Sequence, residues 1–212
     1  MKIYDWGIAP NPRRVRIFLA EKGIDIPLED IGDGMVLKQS YRDNHPQAMA
    51  PLLELDDGSV IGEVMGICRY LEANRPNPPL LGTDPKSIGL IACWENRANE
   101  EGMLAASECF RNTHPDFADR GLPGSAEPIP QLPALVERAK GRLRRFYKKI
   151  DGEFAKKQFL AGDTYSVADI TALCAVDFAG WVELGADSEI AADCPNMKRW
   201  YGEVSSRPGS VA

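Results

Sequence analysis

The chain has 212 residues, of which 44% are hydrophobic and 26% charged, with a formal net charge of −6. That length allows one or two domains, and the composition is that of an ordinary globular protein. The acidic balance, with no basic patch interleaved with aromatics, argues against a nucleic-acid partner. No apolar run approaches the ~18 residues of a membrane span, so no membrane partner is expected. The start, "MKIYDWG", is too short and too mixed for a secretory leader, and the expectation is a cytoplasmic protein.

Residues 2–6, "KIYDW", read as a strand. In "NPRRVRIFLAEKG", Asn11 reads as an N-cap and Pro12 as the first helical residue. Val15, Phe18 and Leu19 then share a face, and Lys22-Gly23 marks the stop. Arg13 and Arg14 fall in the first turn, where cations are mildly disfavoured; they read as a solvated face or as a draw for an anionic substrate. Residues 24–31 read as a second strand, which with the first implies a parallel pair and a right-handed crossover. The stretch 32–49 is irregular, with at most a short helix near Leu37–Arg42.

"APLLELDDGSVIGE", residues 50–63, reads as a hairpin turning at Asp56-Asp57-Gly58. It has two awkward features: a proline at the head of a strand, where it gives the ladder no N–H, and a carboxylate, Glu63, where the second strand gives way to a helix. Val64, Ile67, Cys68 and Leu71 follow the i, i+3, i+4, i+7 pattern of that helix, which ends near Asn74. Residues 75–87 are proline-rich and without period, as in a linker.

The rest reads helical. One long helix is expected over 88–110 through Ile91, Trp94, Glu95, Ala98 and Met103, and a loop over 111–130. An amphipathic helix is expected over 131–151 through Leu132, Leu135, Val136, Ala139, Leu143, Phe146, Tyr147 and Ile150. In "TYSVADI", Ser166 and Asp169 form a capping box, with Tyr165 and Ile170 placed as a hydrophobic staple. A last helix runs near Pro195–Val204 with Met197, Trp200 and Tyr201 inward. The fold class is therefore an α+β domain of βαβ-ββα order followed by an all-α domain, divided as 1–76, a linker 77–87, and 88–212.

The five cysteines, Cys68, Cys93, Cys109, Cys174 and Cys194, match neither CxxC nor zinc-cluster spacing. They read as reduced and mostly buried. With only His45 and His114 in the chain, a histidine metal site or a Ser-His-Asp triad has little material, and no metal is expected.

Four blocks, "APNPRRVRIFLAEKGI" at 9–24, "APLLELDDG" at 50–58, "GICRYLE" at 66–72 and "FLAGDTYSVADI" at 159–170, together with the proline-rich linker, resemble the cytosolic glutathione transferases. The likeness spans nearly the whole chain and is greatest to bacterial members whose first helix starts with "SPN" or "APN". It implies a thioredoxin-like N-terminal domain, glutathione as cosubstrate, a small electrophile as second substrate, detoxification chemistry and a homodimer. It further implies that Pro51 is cis and that the main chain of Ala50 pairs with the cysteinyl unit of glutathione. Glu63 would take the γ-glutamyl ammonium, and the helix start at Val64 the γ-glutamyl carboxylate.

Three positions depart from the family pattern. Ala9 stands where the serine-type members carry a hydroxyl, Val64 where a serine usually follows the acid, and Met49 where Lys or Gln is common. Asn11 is the expected partner of the thiol sulfur, with Tyr4 as a substitute and a plain N-cap as the bland reading of Asn11. By position in the family, Trp6, Asn99, Met103 and Phe110 are candidates for the electrophile pocket. The departures leave a second reading: a binding or scaffold protein on the same fold without catalysis. An isomerase of the maleylacetoacetate type is disfavoured, because "IAPNP" lacks the serine- and cysteine-bearing loop.

Overall fold

The computed structural model describes residues 1–32, 41, 43, 49–125 and 127–211. The N-terminal unit contains β1 (Lys2–Asp5), α1 (Pro10–Lys22), β2 (Leu28–Asp30), β3 (Leu52–Glu54), β4 (Val60–Ile61) and α2 (Val64–Asn74). Its sheet order is β2-β1-β3-β4, with β1 parallel to β2 and the other neighbours antiparallel. This is the thioredoxin-like βαβ-ββα arrangement. All of the helix expected near Leu37–Arg42, apart from Tyr41, lies outside the described residues.

Helix α1 starts earlier than its sequence suggests. Ala9 is the N-cap and Pro10 the first helical residue, so Asn11 stands inside the first turn and makes no capping bond. Two prolines in one first turn each remove an N–H that has no helical acceptor there, so Pro10 fits as well as Pro12. The helix stops where Gly23 adopts φ 61° and the Ile24 N–H reaches back to the Leu19 carbonyl at 3.0 Å. Val15, Ile17, Phe18 and Leu19 are buried.

The helical unit contains α3 (Pro85–Arg97), a π-helical segment Ala98–Met103, α4 (Leu104–Arg111), α5 (Pro133–Phe154), α6 (Val167–Gly180) and α7 (Pro195–Ser205). The single long helix expected over 88–110 is thus continuous but carries a π-helical widening at its centre. Gly102 allows that segment to sit close to its neighbours: a Cβ there would lie 2.9 Å from the Ala175 Cβ and 3.0 Å from Phe146. Helix α5 buries Val136, Ala139, Leu143, Phe146, Tyr147, Ile150 and Phe154, whereas Leu132, its N-cap, is exposed.

Helix α6 is buried on nearly every side and forms the axis of the helical unit. Its start is the expected capping box: Asp169, fully buried, accepts from the Ser166 N–H and Oγ, each at 3.1 Å, from the Leu160 N–H at 2.9 Å and from Trp200 Nε1 at 3.0 Å.

The two units dock through α1. Its polar residues alternate along the seam with the buried Ile17 and Phe18. Arg13 pairs with Asp177 of α6 at 2.5 Å, Arg14 with Glu95 of α3 at 2.6 Å, and Glu21 with Arg207 at 2.6 Å. Neither first-turn arginine belongs to a solvated face, and Arg14 is only 3% exposed. Helix position alone leaves these cations in solvent, but carboxylates from α3 and α6 neutralise them where the units meet. Among the described residues no helix is long and apolar enough to cross a membrane.

Candidate glutathione site

The Ala50–Pro51 peptide is cis, as the resemblance implies. Leu53 pairs with Ile61 and Glu54 with Val60 across β3 and β4. Pro51 and Glu63 each stand two residues past the Leu53–Ile61 pair, at the same end of the hairpin. The hairpin therefore brings its two awkward residues to the same edge. Ala50 is half-buried and packs on a small cluster of Tyr4, Ile31, Tyr41 and Leu52, which leaves its main chain ahead of the ladder that begins at Leu52.

Glu63 is the N-cap of α2, with an exposed side chain and a backbone at φ 58°, ψ 135°. A non-glycine residue there stores strain that the surrounding fold must hold. The first helical bond is Ile67 N–H to the Glu63 carbonyl at 3.1 Å. The N–H groups of Val64, Met65 and Gly66 thus have no helical acceptor and form an anion-favouring helix start. The Val64 side chain is 5% exposed and belongs to the main core. It contributes packing there and no hydroxyl.

Asn11 lies on the exposed side of the α1 start, and its Oδ1 accepts from Arg14 Nη1 at 3.0 Å. Its amide oxygen is therefore engaged and its NH₂ directed away from the guanidinium. Tyr4 is turned elsewhere: its hydroxyl donates to Glu54 Oε2 at 2.6 Å, and its ring meets Tyr41 edge-on. Burial and the neighbouring Glu54 carboxylate push its pKa up. Tyr4 thus belongs to the small cluster on the sheet. Ala9 is the α1 N-cap and has no polar side chain, and Met49 is half-buried, its carbonyl accepting from the Tyr41 hydroxyl at 3.1 Å.

Beside the α1 start lies a cavity of about 330 Å³ lined by Ile8, Pro10, Arg13, Cys174, Asp177, Phe178 and Trp181. Its aromatic wall extends to the half-buried Phe110, which lies 5.5 Å from Phe178 and 5.6 Å from Trp181, centroid to centroid. Of the four positions expected in an electrophile pocket, Phe110 reaches this wall. Trp6 packs on the Tyr4 cluster instead, Met103 is core at 4% exposed, and Asn99 bonds to Arg14.

Sequence reasoning missed Phe178 and Trp181, because α6 is apolar all round and offers no distinct face. Cys174 in the cavity is held neutral, its thiol pushed up to about 11 by burial against the pull of Arg13 and Arg14. A second hollow of about 370 Å³ lies beyond Asp177, with Glu183 and Asp187 in its lining. Those carboxylates suit neither a thiolate nor a peptide carboxylate.

All five cysteines are free, four of them buried and Cys93 exposed. Among the described residues no three His, Cys, Asp or Glu side chains gather as metal ligands.

A four-stranded thioredoxin-like sheet with a cis-proline at its edge, docked through its first helix on an all-helical unit, defines the class of protein. The glutathione S-transferase N-terminal domain family matches residues 3–79, and the glutathione S-transferase C-terminal domain family matches residues 103–208. Glutathione S-transferase 2 of Saccharomyces cerevisiae is 30% identical, the match covering 98% of this chain and 87% of that protein. A glutathione S-transferase domain-containing protein of Marinobacter aquaeolei superposes with a TM-score of 0.86 at 34% identity, over 99% of this chain and 100% of that one. The crystal structure of Gtt2 from Saccharomyces cerevisiae gives 0.84 at 29% identity, over 100% and 99%. The chain belongs to the glutathione S-transferase family.

Proposed function

We propose that this protein binds glutathione and activates its thiol for attack on small electrophiles or for reduction. The observation that carries the reading is that cis-Pro51 and Glu63 stand at the same end of the β3–β4 hairpin, beside the α2 start whose first N–H groups have no helical acceptor. In this reading the main chain of Ala50 pairs with the cysteinyl unit as an added strand would. Glu63 receives the γ-glutamyl ammonium, and the helix start at Val64 receives the carboxylate.

The thiol is the harder task. A free thiol has a pKa of about 8.5, so only a few per cent is ionised at neutral pH. A hydrogen bond to sulfur favours the thiolate, and Asn11 is the residue assigned to give it, from an amide NH₂ at the α1 start. The aromatic cavity at Phe178 and Trp181 takes the second substrate, a small electrophile with an apolar face. Residues 1–76 serve as the glutathione-binding domain, 77–87 as a linker and 88–212 as the helical domain. The protein works as a cytoplasmic homodimer, for which Val60, Ile88 and Leu90 supply exposed apolar surface.

Calorimetric titration with glutathione, followed by turnover of a chlorodinitroaromatic electrophile, tests the reading. Saturable binding and turnover are expected. Binding without turnover points to the scaffold reading, which Ala9, Met49 and Val64 favour. No binding overturns the assignment.

A further inference from the structure

We propose that Arg14 is a positioning residue. It fixes two side-chain amides, those of Asn11 and Asn99, so that both turn their NH₂ groups outward as a preformed pair of donors for the thiolate. The proposal rests on the reading of Asn11 as the sulfur partner.

One guanidinium nitrogen carries the argument. Arg14 Nη1 donates to Asn11 Oδ1 at 3.0 Å and to Asn99 Oδ1 at 3.2 Å. An arginine has five N–H donors and no acceptor, so any amide beside it must present its oxygen. Each asparagine NH₂ therefore faces away from Arg14. Among the described residues neither Nδ2 has an acceptor. Asn11 is exposed and Asn99 half-exposed, so both NH₂ groups remain open to a ligand.

The guanidinium itself is immobilised. Its Nη2 donates to Glu95 Oε1 at 2.6 Å and its Nε to Thr171 Oγ1 at 3.2 Å, and the Thr171 hydroxyl lies 3.4 Å from the same Glu95 oxygen. Arg14, Glu95 and Thr171 are all buried. The Glu95 carboxylate balances the arginine charge, so what Arg14 passes to the site is mainly orientation.

Asn99 reaches Arg14 from the π-helical segment, where the widened turn sits between α3 and α4. Such segments are rare within helices and are often found at functional sites. The arrangement also explains how the site manages with Ala9. A hydroxyl is a single donor that rotates freely, whereas two locked amides present N–H groups whose direction is set before the ligand arrives. Because Glu95, Asn99 and Thr171 belong to the helical unit and Asn11 and Arg14 to the sheet unit, the donor pair exists only when the two units are docked.

The test is a double-mutant cycle read on the thiol pKa of bound glutathione, followed by the ultraviolet absorbance of the thiolate. Asn11→Ala and Arg14→Lys are each expected to raise that pKa, by about one unit. Arg14→Lys keeps the charge but cannot span Asn11, Asn99 and Glu95 at once. In the Asn11→Ala, Arg14→Lys double variant the arginine effect should shrink to what passes through Asn99. Both single changes should lower kcat more than they raise KM for glutathione.

Equal Arg14→Lys shifts with and without Asn11 overturn the positioning role, as does a shift in Asn11→Ala with none in Arg14→Lys. No shift in Asn11→Ala overturns the sulfur assignment beneath it, and the proposal with it. Should Arg14→Lys fail to fold, Asn99→Ala at its half-exposed position decides the matter: a raised thiol pKa supports the donor pair, and an unchanged one removes it.

Discussion

Pro51 and Glu63 each stand two residues beyond the Leu53–Ile61 pair, at the same end of the β3–β4 hairpin. Replacing Glu63 separates its side chain from its backbone role. Glu63→Gln keeps the shape and removes the charge. Losing a charged hydrogen bond is worth roughly 1.5–3 kcal/mol, so glutathione affinity should fall about ten- to a hundred-fold by calorimetry. Glu63→Gly loses the side chain as well but relaxes the φ 58° backbone. Its unfolding free energy should rise by roughly 1 kcal/mol while binding is lost. A glycine variant less stable than the parent would remove the strain argument.

Val64 is both a core residue and the first residue of α2. Val64→Ser restores a hydroxyl at the helix start at the expense of buried methyl groups. We expect glutathione to bind about tenfold or more tightly, from one added hydrogen bond to a carboxylate. Thermal stability should drop by roughly 1–2 kcal/mol from lost packing. Unchanged affinity would mean that the γ-glutamyl carboxylate does not sit at this helix start.

The hairpin was legible before the fold because its turn is written in short-range chemistry. Asp56-Asp57-Gly58 requires a positive φ, which Gly58 supplies at 84°, and a one-residue slip would turn Leu53 from the core to the opposite face. The capping box at Ser166 and Asp169 was legible for the same reason. The Arg14 network was not. Apart from Asn11, its partners lie 81, 85 and 157 residues away, and a cation in a first turn looks solvated until α3 and α6 dock against it. The aromatic wall was hidden differently: Phe178 and Trp181 lie in and just after a helix whose apolar residues have no period to read.

Gly102 marks where the π-helical segment approaches α5 and α6. Gly102→Ala would bring a methyl group within 2.9 Å of the Ala175 Cβ, with Phe146 at 3.0 Å. Helix propensity alone favours alanine by roughly 1 kcal/mol, but overpacking a core costs about 1–3 kcal/mol. Packing should win, giving a lower melting temperature by calorimetry. Because Asn99 rides on the same segment, turnover should fall along with stability. A stabilised Gly102→Ala protein would show that the contact is free to relax.

Asp169 gives the fold a pH dependence of definite sign. Burial raises its carboxyl to about 6 against the opposing effect of the Leu160, Trp200 and Ser166 hydrogen bonds, whereas an unfolded aspartate titrates near 3.8. Between those values the native state holds a proton that the unfolded chain has released. The native state therefore binds more protons, and this contribution to stability falls as pH rises. It is fully present below about pH 4, is lost through about pH 6, and amounts to roughly 2–3 kcal/mol for a shift of about two units. Other carboxylates titrate in the same window, so the measurement must be a difference: urea unfolding of the parent minus that of Asp169→Asn, at pH 4.5 and at pH 7. Asparagine cannot ionise and satisfies fewer of the four donors, so the parent should be the more stable at pH 4.5, with its margin narrowing by pH 7. A margin that widens with pH would mean that the four hydrogen bonds outweigh desolvation and hold the group as a carboxylate.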